Sequence, residues 1–147
     1  MSDASAIFAE LLERMTSAIC AGNAQVAAEC FTPDGIYQDG FYGEFTGREA
    51  IADMITGRFH RDASDFVWRV SDACSNGRIG YAHYHFTYVS KIPGSEGRRA
   101  GFTGISCCAL ERGHIRHYSE LFERAPVLVQ LGFGEERILK SIKRWAK

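Results

Sequence analysis

The chain has 147 residues, 46% of them hydrophobic and 24% charged, which is length enough for one domain with its own core and no need of staples. A formal net charge of -1 leaves no basic footprint for nucleic acid, and no apolar run approaches the ~20 residues of a membrane-spanning helix. Cys20, Cys30, Cys74, Cys107 and Cys108 are odd in number and contain no Cys-x-x-Cys spacing, and Met1-Ser2-Asp3 opens no basic leader. These features exclude a disulfide scaffold or zinc ribbon and predict a reduced, cytoplasmic protein.

In chain order, Phe8, Leu11, Leu12, Met15 and Ile19 recur at helical spacing over residues 5–21, and Gly22 can end that helix. Asn23 can cap a shorter helix over residues 24–31, and Thr32-Pro33-Asp34-Gly35 reads as a turn into a strand at residues 35–39. Phe41 to Phe45 reads as irregular. Thr46-Gly47-Arg48-Glu49 has capping-box form and predicts a third helix from Ala50. Strand signals then dominate: residues 66–74, an Asn76-Gly77 hairpin, 79–90, a turn at 93–97, 99–110, a turn at Arg112-Gly113, and 115–122. A final helix over residues 135–147 gathers Ile138, Leu139, Ile142 and Trp145 on one face, predicted to dock on the body. Leading helices followed by antiparallel strands make this an α+β chain, read as a single domain over residues 1–147.

Chemistry concentrates at a few strand positions. His83 and His85 have the same parity, so two imidazoles share one face, which suggests acid–base chemistry, a metal or a polar cavity. Tyr37 and Asp39 form a second same-face pair at the end of the first strand. Glu120 stands between Tyr118 and Phe122 on the last strand, where a carboxylate is costly unless it is paired, protonated or beside a wet cavity. At the opposite parity, Tyr84, Phe86, Tyr88 and Cys108 are apolar enough to be expected as a homodimer surface.

The order of these motifs carries a resemblance. Gly22-Asn23-Ala24, then Phe31-Thr32-Pro33-Asp34-Gly35-Ile36-Tyr37-Gln38-Asp39, then Thr46-Gly47-Arg48-Glu49-Ala50-Ile51, resembles the nuclear transport factor 2-like superfamily. The tail, Ile115 to Glu123 followed by Val129-Gln130-Leu131-Gly132, looks like the ending of its SnoaL-like and limonene epoxide hydrolase-like members. The resemblance implies a cystatin-like cone: N-terminal helices packed on a curved, mostly antiparallel sheet that encloses a pocket, with a C-terminal helix added. By position, Asp39 matches the base of the ketosteroid isomerase-like members, and Glu120 matches the last-strand acid of the cyclases and hydrolases. The hydrolase Arg-x-Asp pair falls on His83 and His85.

The expected function is therefore a cofactor-free acid–base enzyme of isomerase, cyclase or dehydratase type, acting on a small cyclic or aromatic hydrophobic molecule. Asp39, Glu120, His83, His85 and Tyr37 are its expected catalytic residues. Tyr42, Tyr118, Phe122 and Trp68 are its expected substrate contacts, with no metal, no nucleic acid, no membrane and a homodimeric assembly. The alternative is a ligand-binding or dimerisation module of the same fold. Epoxide hydrolysis and metal-dependent chemistry are the lesser readings.

Overall fold

A computed structural model describes residues 2–147. Helix α1 (Asp3–Ala21) starts where the Ser2 hydroxyl accepts from the Ser5 N–H, and it stops at Gly22, whose φ of 76° is the left-handed conformation a helix C-terminus favours. Asn23 caps α2 (Ala24–Glu29) through the Val26 N–H. Strand β1 (Phe31–Asp39) and β2 (Gly43–Thr46) follow, then α3 (Arg48–Met54), a π-helical turn (Ile55–Phe59) and the short α4 (His60–Asp62). The long strands are β3 (Ala63–Ser75), β4 (Ile79–Ser90), β5 (Arg99–Glu111) and β6 (His114–Leu121), and the chain closes with α5 (Ala125–Gln130) and α6 (Glu135–Trp145).

The six strands form one sheet in the order β2-β1-β6-β5-β4-β3. The β1–β6 pair is parallel and the other four are antiparallel. Because β1 is separated from β6 by the whole meander, the first and last long strands meet inside the sheet. This brings Tyr37 opposite Tyr118 in register. The α+β architecture, with helices against a curved, mostly antiparallel sheet that does not close and a C-terminal helix, is the expected one.

Several local expectations are corrected. The segment from Thr32 to Gly35 is not a turn before the strand but the irregular start of β1, with a register shift against β6 between Phe31 and Ile36. The stretch read as irregular contains β2, paired with β1 from Ile36–Thr46 to Asp39–Gly43. The capping box is not formed: Thr46 ends β2, Gly47 at φ 93° is the N-cap, and no side chain caps α3. Helix α5 has no counterpart in the sequence pattern, because six residues with a proline at the first turn give little periodicity to detect.

The core has two parts. One lies between α1, α2, α3 and the sheet, around Phe8, Leu12, Met15, Ile19, Phe31 and Tyr37. The other gathers Tyr84, Phe86, Tyr88, Ala100, Val127 and Leu131 under α5. β4 is decisive here, since its residues alternate strictly from Ile79 outward-facing to Phe86 inward-facing. Tyr84, Phe86 and Tyr88 are therefore core residues and not a dimer surface, and Cys108 is buried as well. The outer side carries Ile79, Tyr81, Ile105 and Leu121 in exposed positions.

Candidate active site

Aromatic side chains converging from the sheet, the π-helical turn and the C-terminal helices leave a pocket of about 800 Å³ at one end of the sheet. Phe41, Phe59, Phe66, Phe86, Leu131 and Phe133 give it apolar walls. Asp39 is the carboxylate on its inner wall, at the last residue of β1. Its Oδ2 accepts from the Phe41 N–H at 2.8 Å and the Tyr42 N–H at 2.9 Å, the local chemistry of an Asp that precedes a tight Gly40 turn. Burial raises the Asp39 carboxyl above its usual range, and these two amides oppose that shift by stabilising the charged form.

Glu120 is on β6 beyond the pocket wall. Its Oε2 accepts from the Tyr84 hydroxyl at 2.6 Å. Burial pushes this carboxyl up to about 8, the charge of Asp39 adds to the rise, and the Tyr84 hydrogen bond works against it. Two carboxyls thus sit in one electrostatic neighbourhood: burial raises both, two amides oppose the rise at Asp39, and Glu120 is the one pushed up to about 8.

Tyr37 is fully buried, stacks on Tyr118 with ring centroids 4.9 Å apart, and its hydroxyl has no partner among the described residues. Burial raises it well above the ordinary tyrosine value, followed by the charges of Glu120 and Asp39, so it holds its proton. The Trp68 indole N–H is a second buried donor without a partner among the described residues. Neither residue lines the pocket; both lie in the core behind it.

The other expected site residues separate. Tyr42 lines the pocket, and its hydroxyl donates to Asp62 Oδ2 at 2.5 Å, while Arg61 binds the same carboxylate. Trp68 packs behind the wall against Phe86 and Phe59. Tyr118 hydrogen-bonds Ser106 at 2.9 Å and Phe122 stacks on Phe102 at 3.9 Å, so both support the wall and neither lines it. His83 and His85 do share a face, but it is the outer one. His83 Nδ1 lies 3.2 Å from exposed Asp72, and both imidazoles are solvent-exposed on the side of the sheet away from Asp39 and Glu120. Parity alone could not decide which face of β4 was inside; the all-aromatic set Tyr84, Phe86 and Tyr88 was the signal for it. Among the described residues no cluster of three or more His, Cys, Asp or Glu side chains could hold a metal ion.

Gly104, paired with Tyr84 across β4 and β5, leaves room for the Tyr84–Glu120 contact. A Cβ there would fall 2.6 Å from the Tyr84 hydroxyl and 2.6 Å from the Leu121 carbonyl oxygen. Gly104→Ala is expected to push Tyr84 off Glu120 and to destabilise the fold by about 1–3 kcal/mol, the usual cost of overpacking. Thermal unfolding together with a carboxyl titration by NMR checks both effects, since an unchanged Glu120 titration would show that Tyr84 had stayed.

Residues 12–118 match the SnoaL-like domain family. The chain belongs to that family. Among solved structures, a Catenulispora acidiphila protein of ketosteroid isomerase-like fold, solved with trimethylamine, is 19% identical with a TM-score of 0.75, covering 86% of this chain and 95% of its own. A polyketide-cyclase candidate from Xanthomonas campestris is 15% identical with a TM-score of 0.72, covering 88% and 99%. An M. tuberculosis epoxide hydrolase of the limonene type is 13% identical with a TM-score of 0.67, covering 90% and 92%. At these identities the likeness is one of fold, that of the nuclear transport factor 2-like superfamily. No curated protein matches the chain.

Proposed function

We propose that this SnoaL-like protein is an acid–base enzyme of isomerase, cyclase or dehydratase type that moves a proton on a small cyclic or aromatic molecule held in the pocket. The observation that carries the reading is the pairing of Asp39, on an apolar pocket wall with two amide N–H donors, with Glu120, whose carboxyl is pushed up to about 8. A carboxylate in an apolar wall is a stronger base than one in water, and a neighbouring buried carboxyl that keeps its proton adds no second negative charge beside it. Asp39 is assigned as the base. Glu120 is the proton-holding partner, and Tyr37 is a buried donor that feels the charge of both. No cofactor takes part in this reading.

The test needs no knowledge of the natural substrate. Ring opening of nitrobenzisoxazole consists of removal of one ring C–H proton by a base as the N–O bond breaks to give a cyanophenolate. The wild-type protein is expected to accelerate it saturably and beyond an equal concentration of free carboxylate buffer. A rate no greater than that of the buffer would remove Asp39 from the role of base.

The second reading is a binding module without turnover, and the exposed Ile79, Tyr81, Ile105 and Leu121 on the outer sheet face favour an assembly role alongside either reading. A homodimer through this face is expected. Sedimentation equilibrium should give twice the chain mass, and Leu121→Lys, which replaces a side chain 68% exposed, should return it to the single-chain mass.

A further inference from the structure

Helix α6 lies along the pocket mouth with only part of its apolar face turned inward. Leu139 is 51% exposed and Ile142 39% exposed, and α6 has no buried residue, although one of its faces is apolar. Its half-buried residues are Ile138, Ser141 and Trp145, and the last two line the pocket. Arg137, Lys140 and Arg144 follow one another at spacings of three and four residues, so they share one side of the helix, exposed at the rim, and all three line the pocket. Ile138 and Trp145 supply the apolar contact of the helix, whereas Leu139 and Ile142 stay outside, so only part of the apolar face is used in docking.

These cations have no counter-charge of their own. Among the described residues, the ion pairs are Arg61 with Asp62, His83 with Asp72, and Arg99 with Asp65, and none involves α6. Glu136 is the one acid of α6 that shares the mouth with them. Asp62, also on the wall, is already held by Arg61 and Tyr42. Nor do the cations act on the inner carboxyls, since the groups that perturb Asp39 and Glu120 are backbone amides, Tyr84 and the Asp39 charge itself, with no lysine or arginine among them. The Arg137 guanidinium lies 3.6 Å from the centre of the Phe133 ring, which fixes its plane at the rim and leaves its N–H edge for a planar anion.

We propose that the ligand of this pocket is an amphipathic carboxylic acid, its ring system against the phenylalanine walls and its carboxylate held at the mouth by Arg137, Lys140 and Arg144. This rests on the reading of the pocket as the ligand site and adds the ligand's polarity and orientation to it. The reacting end points toward Asp39, and the anionic end stays at α6.

Naphthoate and naphthamide, which are nearly isosteric and differ by one charge near neutral pH, test it by calorimetric titration of the full chain, with the amide shifts of Phe66, Phe86 and Leu131 locating the bound ring. At low salt naphthoate should bind about tenfold more tightly, as expected of a few partly exposed ion pairs acting together. The advantage should fall toward onefold in high salt and in R137Q/K140Q/R144Q, with the Kd of naphthamide unchanged. Equal Kd values for the two ligands in the wild type would overturn the anion preference while leaving the pocket as a ligand site. Equal loss of both ligands in the triple variant would overturn it too, by showing that α6 acts as a cover and not through its charge. Failure of both ligands to bind would overturn this proposal together with the reading of the pocket as a ligand site for aromatic molecules.

Discussion

Asp39→Asn is expected to lower the rate of nitrobenzisoxazole ring opening by roughly a hundredfold or more, the usual contribution of a positioned general base, with the fold intact. The amide keeps the shape of the side chain and one oxygen to accept the Phe41 and Tyr42 N–H groups, so what is lost is basicity and not the turn. Glu120→Gln should act differently. The glutamine amide can still accept from Tyr84, but it cannot give up or take back a proton, and the rate profile of this variant should lose its alkaline limb, which in the wild type lies near the Glu120 value of about 8. In Asp39→Asn itself the Glu120 titration should move down, because the Asp39 charge is the second cause of its elevation after burial. Full activity in both variants would remove the carboxyl pair from the reaction, whereas loss of the fold in Asp39→Asn, read by circular dichroism, would reassign Asp39 to a structural turn.

The sequence carried the element types better than it carried their sides. The parity of β4 correctly put His83 with His85 and Tyr84 with Phe86, because a strand's side-chain period of two holds wherever the strand is regular. Which set faced the core depended on how β3 and β5 flank β4 in three dimensions, and a wrong choice there moved every residue of the strand to the opposite side. On β6 the period itself breaks: Leu110 pairs with Ile115 but Ala109 with His117, so both Ile115 and Tyr118 are buried although their parities differ. Glu120 was legible as a carboxylate out of place in an aromatic setting, but its partner Tyr84 was not, since a contact 36 residues away follows from strand order. Asp39 was legible because its position before Gly40 fixes it at a strand end. The part played by α6 was legible only as amphipathicity: periodicity puts Trp145 on the docking side and Arg137, Lys140 and Arg144 together on another, but it does not show that both border a pocket.

The unusual protonation of Glu120 has a consequence for stability that is separate from any reaction. In the unfolded chain this carboxyl takes its ordinary value of 4.5, and in the fold it is pushed up to about 8, so the folded state binds the proton more tightly. The stabilisation that this proton contributes is complete below about pH 4.5 and is lost progressively as pH rises through about 8. Across that interval the wild type should lose stability at up to about 1.4 kcal/mol per pH unit from this group, an upper bound, since Asp39 shares the shift. Glu120→Gln, which mimics the protonated acid at every pH, should lack that slope. Urea unfolding midpoints of the two proteins should therefore converge at acid pH and separate on the alkaline side, with the variant the more stable. Parallel curves from acid to alkaline conditions would mean that Glu120 is solvated and ionises freely in the fold, which would also remove the physical reason for treating it as the proton-holding partner of Asp39.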